Sequence, residues 1–110
     1  MAPPIPVRRW DAFNTEALSE VAVRSRFPPE KYRVSAYRYP PEAKFGGVMR
    51  RGTCHVVAGA CRYIFEIDVR LQAGDVAELP EGHYSLEVLG QDEVVIILSW
   101  ELPFEFNRVQ

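Results

Sequence analysis

The 110-residue sequence contains no hydrophobic run near the roughly 20 residues that a membrane-spanning helix requires. Its longest apolar run, Val94–Leu98, has the length of a strand. The first six residues include three prolines, which do not form the apolar helix of a secretory signal. We therefore expect a cytoplasmic protein that does not associate with membranes.

Histidine, cysteine and excess charge are also scarce. The chain has two histidines, two cysteines and a net charge of −2. It lacks the surplus of Lys and Arg on which nonspecific nucleic-acid binding depends, so we expect no nucleic-acid partner. Of its 13 basic residues, 11 are arginine. Pairs such as Arg50-Arg51 suit either a carboxylate or phosphate ligand or ordinary ion pairs with the 15 acidic residues.

The sequence does contain a series of short extended segments separated by turn signals, while apolar residues at helical spacing are nearly absent. This pattern predicts an all-β fold, a single antiparallel β-barrel or tightly curved sandwich, in one domain over residues 1–110. The core spans about residues 32–100, with N-terminal strands in residues 7–31 packed on it. The predicted strands are 21–27, 32–39, 47–58, 60–71, 76–79, 83–89 and 94–101, with at most one short helix.

The segment Gly74–Gly82 has a characteristic spacing of glycine and proline. A glycine is followed by five residues and then by Pro80-Glu81-Gly82, which resembles the second conserved motif of the cupin superfamily. Upstream, Tyr39–Phe45 and Val48–Gly52 resemble the strand, loop and glycine-ended strand of the first motif. The resemblance implies a cupin-like jelly roll, also called a double-stranded β-helix. It also implies that the Pro-x-Gly corner aims the next strand into the barrel.

The metal ligands of that family are missing. The resemblance places the first-motif glutamate at Phe45 and the second-motif histidine at Ser85, and no histidine precedes His55. A transition-metal site in such a barrel needs imidazole and carboxylate groups that converge from several strands. We therefore predict no metal and no other cofactor, although an improvised site that joins a histidine to a cysteine or glutamate stays open.

His83 is the candidate acid or base, because it follows the Pro80–Gly82 corner. Alternation places the polar and apolar residues of its strand on opposite faces. The polar face is His83, Ser85 and Glu87, and the apolar face is Tyr84, Leu86 and Val88. If the cupin register holds, the polar face lines the barrel and His83 transfers protons, oriented by Glu87. If the hydrophobic pattern sets the register, His83 lies on the surface.

Any pocket is predicted at the barrel mouth beside the same corner, with His83 as its titrating member and Arg50 as its anion anchor. Arginine, tyrosine and glutamate around an apolar cavity suit a small carboxylate or sugar-like ligand. The alternative is ordinary cross-strand pairing on the outer faces. The candidate ligand-binding residues are Arg50, Tyr63, Glu78, His83, Ser85 and Glu87.

A turn at Ala58-Gly59 predicts a hairpin that pairs Val56 with Cys61 and Cys54 with Tyr63. The two cysteines would then be diagonal neighbours, which are too far apart for a disulfide. We expect two buried, reduced thiols.

A homodimer is predicted from the apolar strand Val94–Leu98. Its residues are apolar at both alternate positions, so both of its faces need a cover, and a partner subunit is one natural cover. Trp100 and Phe104 add to this hydrophobic surface.

Three functions remain open from the sequence. The first is metal-independent binding of a small molecule, as a sensor or accessory domain. The second is a metal-free cupin enzyme, an isomerase or a nucleoside- or sugar-processing type, that uses His83. The third is a protein-interaction barrel without a pocket. A polar cavity inside the barrel distinguishes the first two from the third.

Overall fold

The computed structural model describes residues 4–102. Nearly all regular structure in this range is extended, with one short α-helix. In chain order the elements are β1 (Val7–Arg9), a 3-10 turn (Trp10–Ala12), α1 (Glu20–Arg26), β2 (Tyr32–Tyr39), β3 (Lys44–Met49), β4 (Gly52–Ala58), β5 (Ala60–Ile64), β6 (Asp68–Gln72), β7 (Asp75–Leu79), β8 (Gly82–Leu89) and β9 (Val94–Glu101). The helix is not long and apolar enough to cross a membrane, nor is any other in the described range.

The strands form two facing antiparallel sheets. The first sheet has the order β1-β7-β4-β9-β2 and the second has the order β3-β8-β5-β6. Every hydrogen-bonded pair of strands is antiparallel. Without the short edge strand β1, each sheet has four strands, and the chain passes repeatedly from one sheet to the other. This is the arrangement of a jelly roll, and the predicted fold class is confirmed.

Four predicted strands are found within one residue of their predicted bounds: β2, β7, β8 and β9. Two other predicted strands are each divided into two strands in the structure. The predicted strand 47–58 is interrupted at Arg50-Arg51, where the chain leaves β3 in the second sheet and enters β4 in the first. The predicted strand 60–71 folds back after Ile64 as the hairpin β5-β6. Strand length was overestimated because neither break, at 50–51 or at 65–67, contains a glycine or a proline.

The predicted hairpin at Gly59 is wrong. Strand β4 pairs with β7 and β9, whereas β5 pairs with β6 and β8, so Gly59 is a corner between the sheets. Its φ is +77°, and a Cβ there would lie 2.3 Å from the carbonyl oxygen of Glu93. Cys54 and Cys61 therefore do not share a hairpin face. Both are buried free thiols, as expected.

The predicted strand 21–27 is also wrong, because residues 21–26 belong to helix α1 and Phe27 caps its end. The helix begins after Ser19, whose hydroxyl accepts a hydrogen bond from the Ala22 amide at 3.1 Å. Val23 is fully buried while Val21 is 79% exposed. The alternating apolar residues therefore do not share one buried face. A local N-cap and tertiary packing outweighed the apparent alternation. Among residues 7–31 the described strand is β1 alone.

The first sheet is covered on both faces. Val94 and Ile96 of β9 pack between the two sheets, in the larger core. Ile97 packs on the opposite face with Trp10 and Val23, in a smaller core beneath α1. The cover that the sequence assigned to a partner subunit is therefore supplied by this chain. Phe104 lies outside the described residues.

Candidate ligand site

The burial of side chains on strand β8 shows which of its two faces points into the barrel. Leu86 and Val88 are buried in the core between the sheets, and Tyr84 packs against it. His83 and Ser85 are exposed. The hydrophobic pattern therefore sets the register, since the outward alternative would expose three apolar side chains. The position that the cupin motif assigns to a metal ligand, Ser85, faces outward.

A groove of about 680 Å³ lies beside the Pro80–Gly82 corner, where the sequence placed the pocket. It is bounded by residues 4–6, by the β5-β6 turn at 65–67 and by residues 78–83. His83 lines this groove together with Glu78 and Arg51. Arg50 lines two other cavities instead. The structure therefore does not bring His83 and Arg50 to one cavity.

Of the remaining candidate residues, Glu78 lines the groove but is already paired, and the others lie outside the cavities. The Tyr63 side chain is buried in the core, with its hydroxyl 4.0 Å from the Cys54 sulfur. Glu78 accepts a hydrogen bond from the Thr53 hydroxyl at 3.0 Å and pairs with Arg8 at 3.0 Å. Glu87 lies 3.6 Å from Arg62 on the outer face of the second sheet. Tyr63, Ser85 and Glu87 line none of the three cavities at this end of the barrel.

A cavity of about 350 Å³ opens between the two sheets near the corner from β3 to β4. Side chains from both sheets converge there, and the sequence reasoning missed all three of its tyrosines. The lining residues are Tyr37, Tyr39, Val48, Met49, Arg50, Tyr84, Leu98 and Trp100. We call it the inner cavity.

The aromatic wall of the inner cavity is held by contacts between rings. The rings of Tyr37 and Tyr39, on one face of β2, are 6.0 Å apart and nearly parallel. Tyr39 also packs on Phe45 at 4.7 Å. The Tyr84 ring lies beside Gly47 of β3, within van der Waals reach of a Cβ at that position.

The hydroxyls of Tyr39 and Tyr84 stay protonated at neutral pH. Burial raises the pKa of Tyr39 to about 12, with smaller contributions from Tyr84 and Tyr37. Burial also raises the pKa of Tyr84. None of the three tyrosine hydroxyls is hydrogen-bonded to another residue within 4–102, and Arg50 has no ion pair there. Three tyrosines without a hydroxyl partner and one arginine without an ion pair in this range therefore line the inner cavity.

The donor set inside the barrel does not fit a transition metal. The inward residues of β3 and β8 include Phe45, Met49, Tyr84 and Leu86, and these offer no imidazole or carboxylate. Within residues 4–102, no three His, Cys, Asp or Glu side chains form a group that could hold an ion. His55 lies on the outer face of the first sheet, where burial lowers its pKa to about 4.

No family model and no curated protein matches the sequence. Solved structures do share its fold. The Cnp3 cupin domain of Schizosaccharomyces pombe has a TM-score of 0.59 at 10% identity, over 74% of this chain and 63% of that one. The EutQ protein of Clostridium difficile has a TM-score of 0.55 at 16% identity, over 68% of this chain and 59% of that one. A cupin domain from Bordetella pertussis has a TM-score of 0.55 at 14% identity, over 71% of this chain and 88% of that one.

These likenesses show the fold: the chain is a jelly roll of the cupin type. The matched region spans about three fifths of the first two structures. At such low identity the likeness concerns the backbone, and function has to be argued from the residues of this chain.

Proposed function

We propose that this chain binds a small organic carboxylate, with an apolar or aromatic body, in the inner cavity and without a metal. The observation that carries the proposal is the convergence of Tyr37, Tyr39, Tyr84 and Arg50 on one space between the sheets. This is the first of the three functions that the sequence left open. A role as a sensor or accessory domain is part of the same proposal.

The cavity chemistry favours a carboxylate over a neutral ligand. A guanidinium binds a carboxylate through two parallel hydrogen bonds, and tyrosine hydroxyls donate to the remaining lone pairs. Tyr37 and Tyr39 offer ring faces, while Met49 and Leu98 supply apolar contacts. At about 350 Å³ the cavity is near the lower limit for ligand pockets, which suits a single ring better than a nucleotide.

The test is a calorimetric titration with benzoate and 4-hydroxybenzoate, with benzamide and phenol as uncharged counterparts. We expect the carboxylates to bind and the uncharged compounds to bind at least about tenfold more weakly, because they lose the guanidinium contact. Arg50→Gln should weaken benzoate binding by about 10- to 100-fold. Tyr84→Phe, which removes one donor, should weaken it about threefold to tenfold.

The matched control is Arg70→Gln, since Arg70 is exposed on β6 and lines none of the three cavities. It should leave the affinity within about twofold. Benzoate binding that is equally weakened by Arg50→Gln and Arg70→Gln would show only a general charge effect and would contradict the proposal.

Homodimer formation and a cytoplasmic location stay predictions. The apolar strand Val94–Leu98 no longer supports a dimer, because the chain covers both of its faces. What supports it now is the edge strand β3, where Val48 is exposed. Light scattering at micromolar concentration should give twice the chain mass of 12.6 kDa, and a mass of one chain would count against it.

A further inference from the structure

A second cavity, of about 600 Å³, lies outside the first sheet at the same end of the barrel. It is bounded by the end of α1, the start of β2, the corners β3-β4 and β7-β8, and the end of β9. The lining residues are Phe27, Tyr32, Arg50, Arg51, Gly52, Thr53, Glu78, Glu81, Ser99, Trp100 and Glu101. We call it the outer cleft. Of its lining, only Arg50 and Trp100 also belong to the inner cavity.

An unpaired hydroxyl lies in the wall of the outer cleft. Ser99 is 1% exposed, and its Oγ has no hydrogen-bond partner within residues 4–102. Its side chain shares the outer face of the first sheet with Ile97, because the two are separated by one residue on β9. Thr53 lies directly opposite Ser99 in the ladder and is already bonded to Glu78. Buried hydroxyls are rarely left unpaired, so a group that reaches Ser99 is favoured.

The cleft carries both signs of charge in a form available to a ligand. Neither Arg50 nor Arg51 makes an ion pair within the described range, and neither does Glu81 nor Glu101. Glu78 is neutralised by Arg8. A plain anion would meet the free carboxylates and a plain cation would meet the guanidinium pair. A ligand that carries one charge of each sign satisfies both.

An aromatic surface adjoins these charges. Phe27 and Tyr32 meet edge to face with ring centroids 5.0 Å apart, and both line the cleft. They offer an apolar contact for a side chain whose charged end lies at the arginines and glutamates.

We propose that the outer cleft binds a free α-amino acid with an apolar side chain. The carboxylate lies against Arg50 and Arg51, the ammonium lies against Glu81 or Glu101, and Ser99 bonds one polar end. This site shares Arg50 and Trp100 with the inner cavity, but it lies on the other side of the first sheet and does not require the inner cavity to be occupied.

The test uses L-leucine as the probe, with N-acetyl-L-leucine and L-leucine methyl ester as ligands that each lack one charge. Titration followed by calorimetry or by amide chemical shifts should show binding of L-leucine, with each blocked form at least about tenfold weaker. Equal binding of either blocked form would overturn the two-charge recognition. No binding of L-leucine at millimolar concentration would overturn the site.

Substitutions in the two cavities test which of them binds L-leucine. Arg51→Gln, at an exposed residue outside the inner cavity, should weaken L-leucine binding about tenfold, and Ser99→Ala about threefold to tenfold. Ser85→Ala, on the exposed face of β8, is the matched serine control and should leave binding within about twofold.

If Tyr84→Phe weakens L-leucine binding while Arg51→Gln does not, the ligand occupies the inner cavity, and the proposal that it binds in the outer cleft is wrong. If benzoate fails to bind but L-leucine follows the expected pattern, the inner cavity proposal alone fails.

Discussion

The two sheets of this barrel are buried in different ways. The first sheet is covered by the second on one face and by the segment from Trp10 to α1 on the other. The second sheet is covered on its inner face only, within residues 4–102. Consequently the residues from Gly52 to Val56 of β4 are all buried, whereas β8 alternates between exposed or half-buried and buried positions. A strand covered on both faces loses the alternation that marks a half-buried strand.

This difference changes what the same residue type does. His55 and Ser99, on the covered outer face of the first sheet, are buried, and each has a polar atom without a partner within the described range. His83 and Ser85, on the open outer face of the second sheet, are exposed. We expect stability to depend on the buried pair and much less on the exposed pair, since buried polar atoms without partners are costly and exposed ones are solvated.

The largest expected effect comes from removing the cover of the first sheet. Trp10 is buried, packs edge to face on His55 at 5.8 Å and donates from its indole nitrogen to the Glu16 carbonyl at 2.8 Å. Trp10→Ala should lower the free energy of unfolding by about 3–5 kcal/mol. Denaturant unfolding measures it, with Phe13→Ala as the control because Phe13 is 73% exposed in the same segment. Equal effects of the two substitutions would show that this segment is not a structural cover.

The next largest expected effect is a dependence of the free energy of unfolding on pH, caused by His55. Its folded-state pKa is lowered to about 4 by burial, against 6.5 for the unfolded chain. As the pH falls below 6.5 the unfolded state takes up a proton that the folded state cannot bind until about pH 4. The contribution of His55 to the free energy of unfolding should therefore fall over this range by up to about 3 kcal/mol and level off below about pH 4.

The check is to measure the denaturant midpoint of unfolding at several pH values between about 4 and 6.5 and to compare variants. His55→Gln should remove this part of the pH dependence, whereas His83→Gln should retain it, because His83 is exposed. If both variants keep the same slope as the unmodified chain, His55 is not the group responsible.

A smaller effect is expected when one valine on the outer face of each sheet is replaced by alanine. Val76 of β7 is 2% exposed beneath the N-terminal segment, and Val48 of β3 is 68% exposed. Val76→Ala should cost about 2 kcal/mol, since it removes two buried carbons. Val48→Ala should stay within about 0.5 kcal/mol. Thermal unfolding of the pair measures the contrast, and a large loss at Val48 would instead indicate that the second sheet is covered by a partner.

The sequence predicted the strands where one pattern dominated. Strand β2 alternates and ends at Pro40-Pro41, and β9 is a continuous apolar run. The prediction failed where local signals competed. Residues 20–26 alternate like a strand but follow a serine that caps a helix. Gly59 is a residue type common in hairpin turns but lies at a corner between the sheets.

The sequence located the groove beside the Pro80–Gly82 corner, while the role of its residues stays a prediction. His83 does lie in a groove at the Pro80–Gly82 corner, because the motif spacing locates that corner. The tyrosines of the inner cavity were missed. Tyr37 and Tyr39 are far in sequence from Tyr84, and alternation alone does not say which face of each strand points inward.

By itself the sequence determined an all-β chain, the positions of its main turns and the absence of the inherited metal ligands, because these depend on local spacing and residue chemistry. Only the tertiary structure decided which sheet each strand joins, that Trp10 and α1 replace a partner subunit over β9, and that three tyrosines and Arg50 meet in one cavity. Those outcomes depend on contacts between residues distant in the chain. Such contacts select among local alternatives of similar free energy by burying the most apolar surface.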